Sequence, residues 1–116
     1  MKEFPGNGDL YFLLDRDGAL VAFREKLAPW AGVVAFTSEA AARGFCRDGA
    51  GENWEIATLA AGDESSLSSI IRQVKSRGIR HLLLDLDYRR GDCTRYEFEG
   101  DWLGSSAPHQ FRPADH

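Results

Sequence analysis

Two pairs of aspartates have the spacing that could do chemistry. Asp15 and Asp17 close the apolar run Leu10-Tyr11-Phe12-Leu13-Leu14, and Asp85 and Asp87 close the run Leu82-Leu83-Leu84. Two carboxylates at a strand end can hold a magnesium ion between them, and one of them can attack a phosphate as a nucleophile. Asp92 extends the second group, but Arg89, Arg90 and Arg95 stand beside it, so local ion pairing is expected there ahead of a metal. Other nucleophile arrangements are missing. The sequence has no Gly-x-Ser-x-Gly elbow and no Gly-Lys-Ser/Thr phosphate loop, and neither Cys46 nor Cys93 has a histidine nearby in sequence.

The segment Leu13-Leu14-Asp15-Arg16-Asp17-Gly18 resembles the first motif of the haloacid dehalogenase superfamily. Val34-Ala35-Phe36-Thr37-Ser38 resembles the second, Lys75 can stand for the lysine, and Leu84-Asp85-Leu86-Asp87 for the closing acidic motif. The resemblance implies a small magnesium-dependent phosphohydrolase, with Asp15 as phosphoryl acceptor, Asp17 as acid/base, and Asp85 and Asp87 at the metal. The spacing argues otherwise. Only 18 residues separate Gly18 from Thr37, too few for the flap and helix that the superfamily places there, and Lys75 falls inside a helix. An Asp-Gly turn between two apolar runs is a hairpin signal. Asp15 and Asp17 are therefore expected to be non-catalytic turn residues, and the phosphohydrolase stays as the alternative.

Charge is distributed unevenly. The net charge of −4 disfavours generic nucleic-acid binding. Residues 1–71 carry −5, residues 72–95 carry +4 and residues 96–116 carry −3. The basic block includes Arg72, Arg89 and Arg90, which the strand–helix order places on one rim of the sheet as a contact surface for an acidic partner. Two cysteines without a CxxC pair and three scattered histidines do not make a zinc site, and both thiols are expected unpaired. The sequence shows no export signal and no membrane-spanning run, which leads to the expectation of a cytoplasmic protein.

The elements that must position these groups can be read from periodicity. Residues 1–8 read as a flexible arm, 9–103 as one α/β domain and 104–116 as a frayed tail. Leu10–Leu14 and Ala19–Phe23 form the expected N-terminal hairpin. Gly32–Phe36 reads as a buried strand, followed by a Thr37-Ser38 cap and a helix whose inner stripe is Ala41, Phe45 and Cys46. Trp54–Leu59 alternates as a strand. Leu67, Ile70, Ile71 and Val74 fall at helical spacing and make the clearest helix, capped by Asp63 or Ser65 and closed at Gly78. Ile79–Leu86 reads as a central strand, and Thr94–Glu99 as a strand with one wet face. The expectation is a mixed sheet of five or six strands with two main helices. Those helices would cover one face, leaving the other to loops, the tail or a second copy of the chain.

The phrase Val33-Val34-Ala35-Phe36-Thr37-Ser38-Glu39-Ala40-Ala41-Ala42-Arg43-Gly44-Phe45 is similar to the SseB-type N-terminal domain, where a strand runs through a Thr/Ser cap into an alanine-rich helix closing on Phe. The second helix, the glycine and the buried strand of Leu67–Leu84 continue the likeness, which spans about residues 10–99. It implies an α/β fold and an interaction role, and it transfers no catalytic residue. The reading that results is a non-catalytic protein-interaction module without a cofactor, binding a protein partner or a second copy of itself. A small-ligand regulatory domain using the strand ends is a third possibility.

Overall fold

The computed structural model describes residues 4–6, 8–26, 30–49 and 53–112. Nine elements follow in chain order: β1 (Leu10–Leu14), β2 (Ala22–Arg24), β3 (Ala31–Phe36), α1 (Glu39–Asp48), β4 (Glu55–Leu59), α2 (Glu64–Lys75), β5 (His81–Leu84), β6 (Asp92–Glu99) and β7 (Trp102–Gln110). The strands make one mixed sheet of seven in the order β4-β1-β3-β5-β6-β7, with β2 also paired to β3. Only β3 and β5 are parallel neighbours, and the other pairings are antiparallel.

The helices follow from propensity and capping. Ser38 accepts the Ala41 N–H at the start of α1, and Asp63 accepts the Ser66 N–H at the start of α2. α2 buries Leu67, Ile71 and Val74 of the expected stripe and half-buries its fourth member, Ile70, and the chain leaves it through Gly78 at φ +85°. In α1 Phe45 is buried and Cys46 partly buried against the same cluster, as expected, but Ala41 is exposed and Ala42 takes its place in the inner stripe.

The helices lie on opposite faces. Leu67, Ile71 and Val74 of α2 pack with Leu10, Phe12, Val33, Leu82 and Trp102, whereas Ala42 and Phe45 of α1 pack with Leu13, Val34, Phe36, Leu83 and Phe111. Topology requires this separation. The chain moves from β3 across to β4 over α1, then back past β3 to β5 over α2. Two crossovers of the same hand travelling in opposite directions lay their helices on opposite faces. The expectation that both helices cover one face is therefore corrected, and no second copy of the chain is needed to cover the other.

Three further expectations change. The sheet has seven strands, not five or six. The N-terminal hairpin is reduced to a bridge between Leu14 and Leu20, after which the chain turns and β2 pairs with β3, because the open edge of β3 below Ala35 is a better partner than β1. Most of the expected tail is strand: Gly104–Gln110 belongs to β7, paired along β6. Its Gly, Ser and Pro residues have little strand propensity, but an outermost strand tolerates Pro108 and needs few apolar side chains. At the other terminus Pro5 is buried and the Phe4 ring lies 6.4 Å from Trp102. The remainder of the expected arm, residues 1–3 and 7, and residues 113–116 of the expected tail lie outside the described residues.

Candidate functional site

Sequence pairs Asp15 with Asp85 as parts of one site, but the fold separates them. Tyr11, at the start of β1, pairs with Phe36 at the end of β3, next to Asp85, while Leu14 pairs with Glu55 at the start of β4. Four residues of extended chain put Asp15 roughly 14 Å away from that end. The phosphohydrolase constellation is thus not assembled. Lys75 does not complete it either, since its Nζ donates to the Gly100 carbonyl oxygen at 2.8 Å.

Each carboxylate is already used locally. Asp15 accepts the N–H groups of Asp17 and Ala19 at 2.8 and 3.0 Å, closing its own turn, and Asp17 is exposed. Asp85, held at φ 56°, accepts the Thr37 N–H and the Thr37 hydroxyl, both at 2.8 Å, and so ties the end of β5 to the cap of α1. Asp87 accepts the N–H groups of Arg89 and Arg90 at 2.9 and 3.0 Å. The Arg90 N–H bond above all holds the Asp87 carboxyl below its ordinary pKa. Aspartates that bond a backbone two residues on are turn formers. Among the described residues no group of three His, Cys, Asp or Glu side chains is placed to hold a metal.

Burial works against both thiols as nucleophiles. Cys46 and Cys93 are unpaired. Burial pushes the Cys93 thiol from 9.0 up to about 11, and Sγ donates to the His109 carbonyl oxygen at 3.6 Å. Burial also raises the Cys46 thiol. A thiol kept protonated is a poor nucleophile.

The basic block divides in two. Arg72 Nη1 lies 3.4 Å from Asp101 Oδ2, beyond the end of β6, while Arg90 Nε lies 3.1 Å from Asp92 Oδ2, at its start. The seven steps of β6 between those ends amount to roughly 24 Å. Arg72 therefore shares no rim with Arg89 and Arg90, because α2 and the loop after β5 meet opposite ends of the sheet.

What the fold does bring together is a groove of about 630 Å³ at the end where β5 finishes. One wall is the loop Leu86–Gly91, the other is Gln110–Arg112 with Lys26, and Phe23 and Phe45 line it as well. Backbone bonds fasten the walls: Phe111 N–H to the Gly91 carbonyl oxygen at 2.8 Å, and Lys26 N–H to that of Arg112 at 2.7 Å. Beneath the second wall, Glu25 is 6% exposed. It accepts from His109 Nε2 at 2.9 Å and from the Arg112 N–H at 3.1 Å, anchoring the segment after β7 over the α1 face. Among the described residues the groove is apolar below, through Phe23, Phe45 and Phe111, and charged around its rim, where Lys26, Arg89, Arg90, Arg112 and Asp87 line it and Asp48 and Asp92 lie 3.7 and 3.1 Å from the Arg89 and Arg90 side chains. Tyr88 stands on the rim edge-on to Phe45 at 5.7 Å, and at 51% exposure it is the exposed large apolar side chain of the described residues.

Arg89 and Arg90 were visible in the sequence as part of the basic block. Tyr88 was missed, although an aromatic in a polar loop was a signal that could have found it. Glu25, Phe23 and Phe111 were not visible, because nothing local marks residues that meet only through the crossing of distant segments. No protein family, no curated protein and no solved structure matches this chain.

Proposed function

We propose that the chain is a non-catalytic protein-interaction module that docks its partner in the groove beside Tyr88, Arg89 and Arg90. The observation that carries this reading is the groove itself, an apolar floor under a charged rim, at the end of the sheet where open α/β folds bind their ligands. The local use of Asp15, Asp85 and Asp87 supports the non-catalytic part of it. The similarity to SseB-type N-terminal domains points the same way: its strand-cap-helix phrase is realised as β3, the Ser38 cap and α1. A cytoplasmic setting belongs to the same proposal. It agrees with unpaired thiols and with the finding that no described helix is long and apolar enough to cross a membrane.

A photo-crosslinking amino acid at Tyr88, with a second at Arg16 on the far end of the sheet, tests the reading in cells. A discrete protein adduct from position 88 that is lost in Arg89→Glu/Arg90→Glu is the expected result. Equal adducts from both positions, or none from position 88, would remove the groove as a docking site. The groove's volume also falls within the about 300–1,000 Å³ of small-molecule sites, which favours a small-ligand regulatory domain as the second reading. A metabolite that co-purifies with the wild type and not with Phe111→Ala would select it.

A further inference from the structure

The sheet ends in two outermost strands, β4 and β7, and their open edges differ. We infer that the edge of β4 is the seam of a symmetric dimer, in which β4 of a second copy of this chain adds antiparallel, with Ala57 on the two-fold axis. This contact is separate from the groove, which is built at the end of β5.

Backbone bonds settle which groups each edge presents. The Leu13 carbonyl oxygen accepts the Val21 N–H at 2.8 Å, and Val21 in turn accepts from Val34 of β3. Leu13 thus turns its polar groups toward the β3 side, and its neighbours Phe12 and Leu14 turn theirs toward β4. Their partners in register are Ala57 and Glu55, with Leu59 opposite Leu10. Ile56 and Thr58 therefore aim their N–H and carbonyl groups outward, where no backbone bond from the described residues meets them. At the other edge the Phe111 N–H bonds the Gly91 oxygen, so Ala107 and His109 face β6 and Ser106, Pro108 and Gln110 face out. Pro108 removes a donor from the middle of that edge, and the irregularity between Tyr96 and Phe98 bends the pair. Both features block strand addition. β4 has neither: Glu55-Ile56-Ala57-Thr58-Leu59 contains no proline and is β-branched where it faces out. A free row of donors and acceptors on such a strand is a template for another strand.

The strand is complementary to itself. With Ala57 on the axis all 5 residues overlap, and Ile56 of each copy exchanges N–H and carbonyl bonds with Thr58 of the other. On the α1 face each larger side chain then meets a smaller one, Ile56 against Thr58 and Trp54 against Ala60. Ile56 and Trp54 are only partly buried in the single chain, and Ala60 is exposed, so the pairing removes apolar surface from water. On the α2 face Ala57 meets Ala57, and Glu55, the one charge of the strand, falls opposite Leu59. The two Glu55 residues stand roughly 14 Å apart, beyond the screening length of about 8 Å at physiological salt. Moving the axis to Glu55 would set like charges face to face, and moving it to Ile56 or Thr58 would leave part of the strand unpaired. The same edge is used on both copies, so the contact closes on itself, and Pro108 stops growth from the β7 edge. A seam of one strand pair is a small interface, so the dimer forms reversibly and at high protein concentration.

Sedimentation velocity on the full chain, over a rising concentration series, reads the mass. It should climb toward two chains and no further. Thr58→Pro removes an outward donor and no bond to β1, and should weaken association on the order of tenfold or more while circular dichroism keeps the native spectrum. Single cysteines in a Cys46→Ala/Cys93→Ala background read the register and decide the matter should Thr58→Pro fail to fold. The two Ala57 positions form a non-hydrogen-bonded pair with Cα atoms about 4.5 Å apart, so Ala57→Cys should give a covalent dimer on mild oxidation. Glu55→Cys, whose copies are too far apart to bridge, should not. A chain that stays monomeric at millimolar concentration leaves the edge to a strand of another protein and overturns the dimer. Association indifferent to Thr58→Pro, growth past two chains, or equally fast cross-linking through Glu55→Cys overturns it as well.

Discussion

The walls of the groove meet at Gly91, and a methyl group added there should separate them. Gly91 sits at φ +81°, and a Cβ at this position would lie 2.5 Å from the Phe111 carbonyl oxygen, closer than any real Cβ contact. Gly18 has the same φ of +81° with nothing within 4 Å of its own Cβ position, so it isolates the backbone cost. Gly18→Ala should lose about 1–2 kcal/mol, the cost of a left-handed conformation for an L-residue. Gly91→Ala carries that cost and must also push the Phe111 segment away. The 2.8 Å bond from Phe111 N–H to Gly91 then stretches or breaks, at about 1 kcal/mol for a hydrogen bond. Phe111, only 4% exposed, also loses part of its packing, a fraction of the about 3–5 kcal/mol that removing such a ring costs. The total comes to about 3–5 kcal/mol, a large share of the stability of a domain this size. Urea unfolding followed by tryptophan fluorescence measures both variants against wild type. If Gly91→Ala costs within about 0.5 kcal/mol of Gly18→Ala, the walls are not in contact as described, and the pre-formed groove fails with them.

Other outcomes follow from the same structure. In the native protein Cys93 should react with a disulfide reagent at pH 8 on the order of a hundredfold more slowly than an unburied thiol, because its thiolate fraction falls by that factor as its pKa rises from 9.0 to about 11. Rapid native-state labelling at Cys93 would contradict its burial. Since that folded-state pKa is raised, the stability it contributes is complete below pH 9 and is lost as pH climbs through about 11, so the urea midpoint should fall across that window and fall less in Cys93→Ala. Asp63 and Asp87 behave oppositely. The Ser66 hydroxyl and N–H lower Asp63, and the Arg90 N–H leads in lowering Asp87, so their contribution is present above the ordinary carboxylate value of 3.8 and disappears as pH falls through the lowered ones. Asp63→Asn keeps a capping side chain while removing the charge, and should flatten the acid limb with little change at neutral pH, read from urea midpoints at stepped pH. Glu25→Ala should destabilise by about 1–3 kcal/mol, because the Arg112 N–H and the His109 ring lose their buried acceptor. Hydrogen exchange at Arg112 should then quicken, and unchanged protection would show that Glu25 is not the anchor of that wall.

Parts of this fold were legible because their cause is local. The α2 stripe, the Ser38 and Asp63 caps and the apolar β5 each depend on residues within one or two turns, and the structure has them as expected. The face each helix takes depends on the direction of travel across the sheet, which no window of sequence contains. The two Asp-x-Asp segments show the limit most clearly. Asp15 and Asp87 accept backbone N–H groups two residues on, and a catalytic pair at a strand end has the same spelling, so only position in the sheet distinguishes turn from site. The arginines pose the converse case. Arg72, Arg89 and Arg90 form one basic block in sequence and two separate places in space, one occupied with Asp101 and the other lining the groove. The two observations join at Asp87. Through Oδ1 it accepts the N–H groups of Arg89 and Arg90 and so closes the loop that forms one wall of the groove. A residue pattern that suggests hydrolysis in the sequence thus serves, in the folded chain, to close the turn that walls the groove.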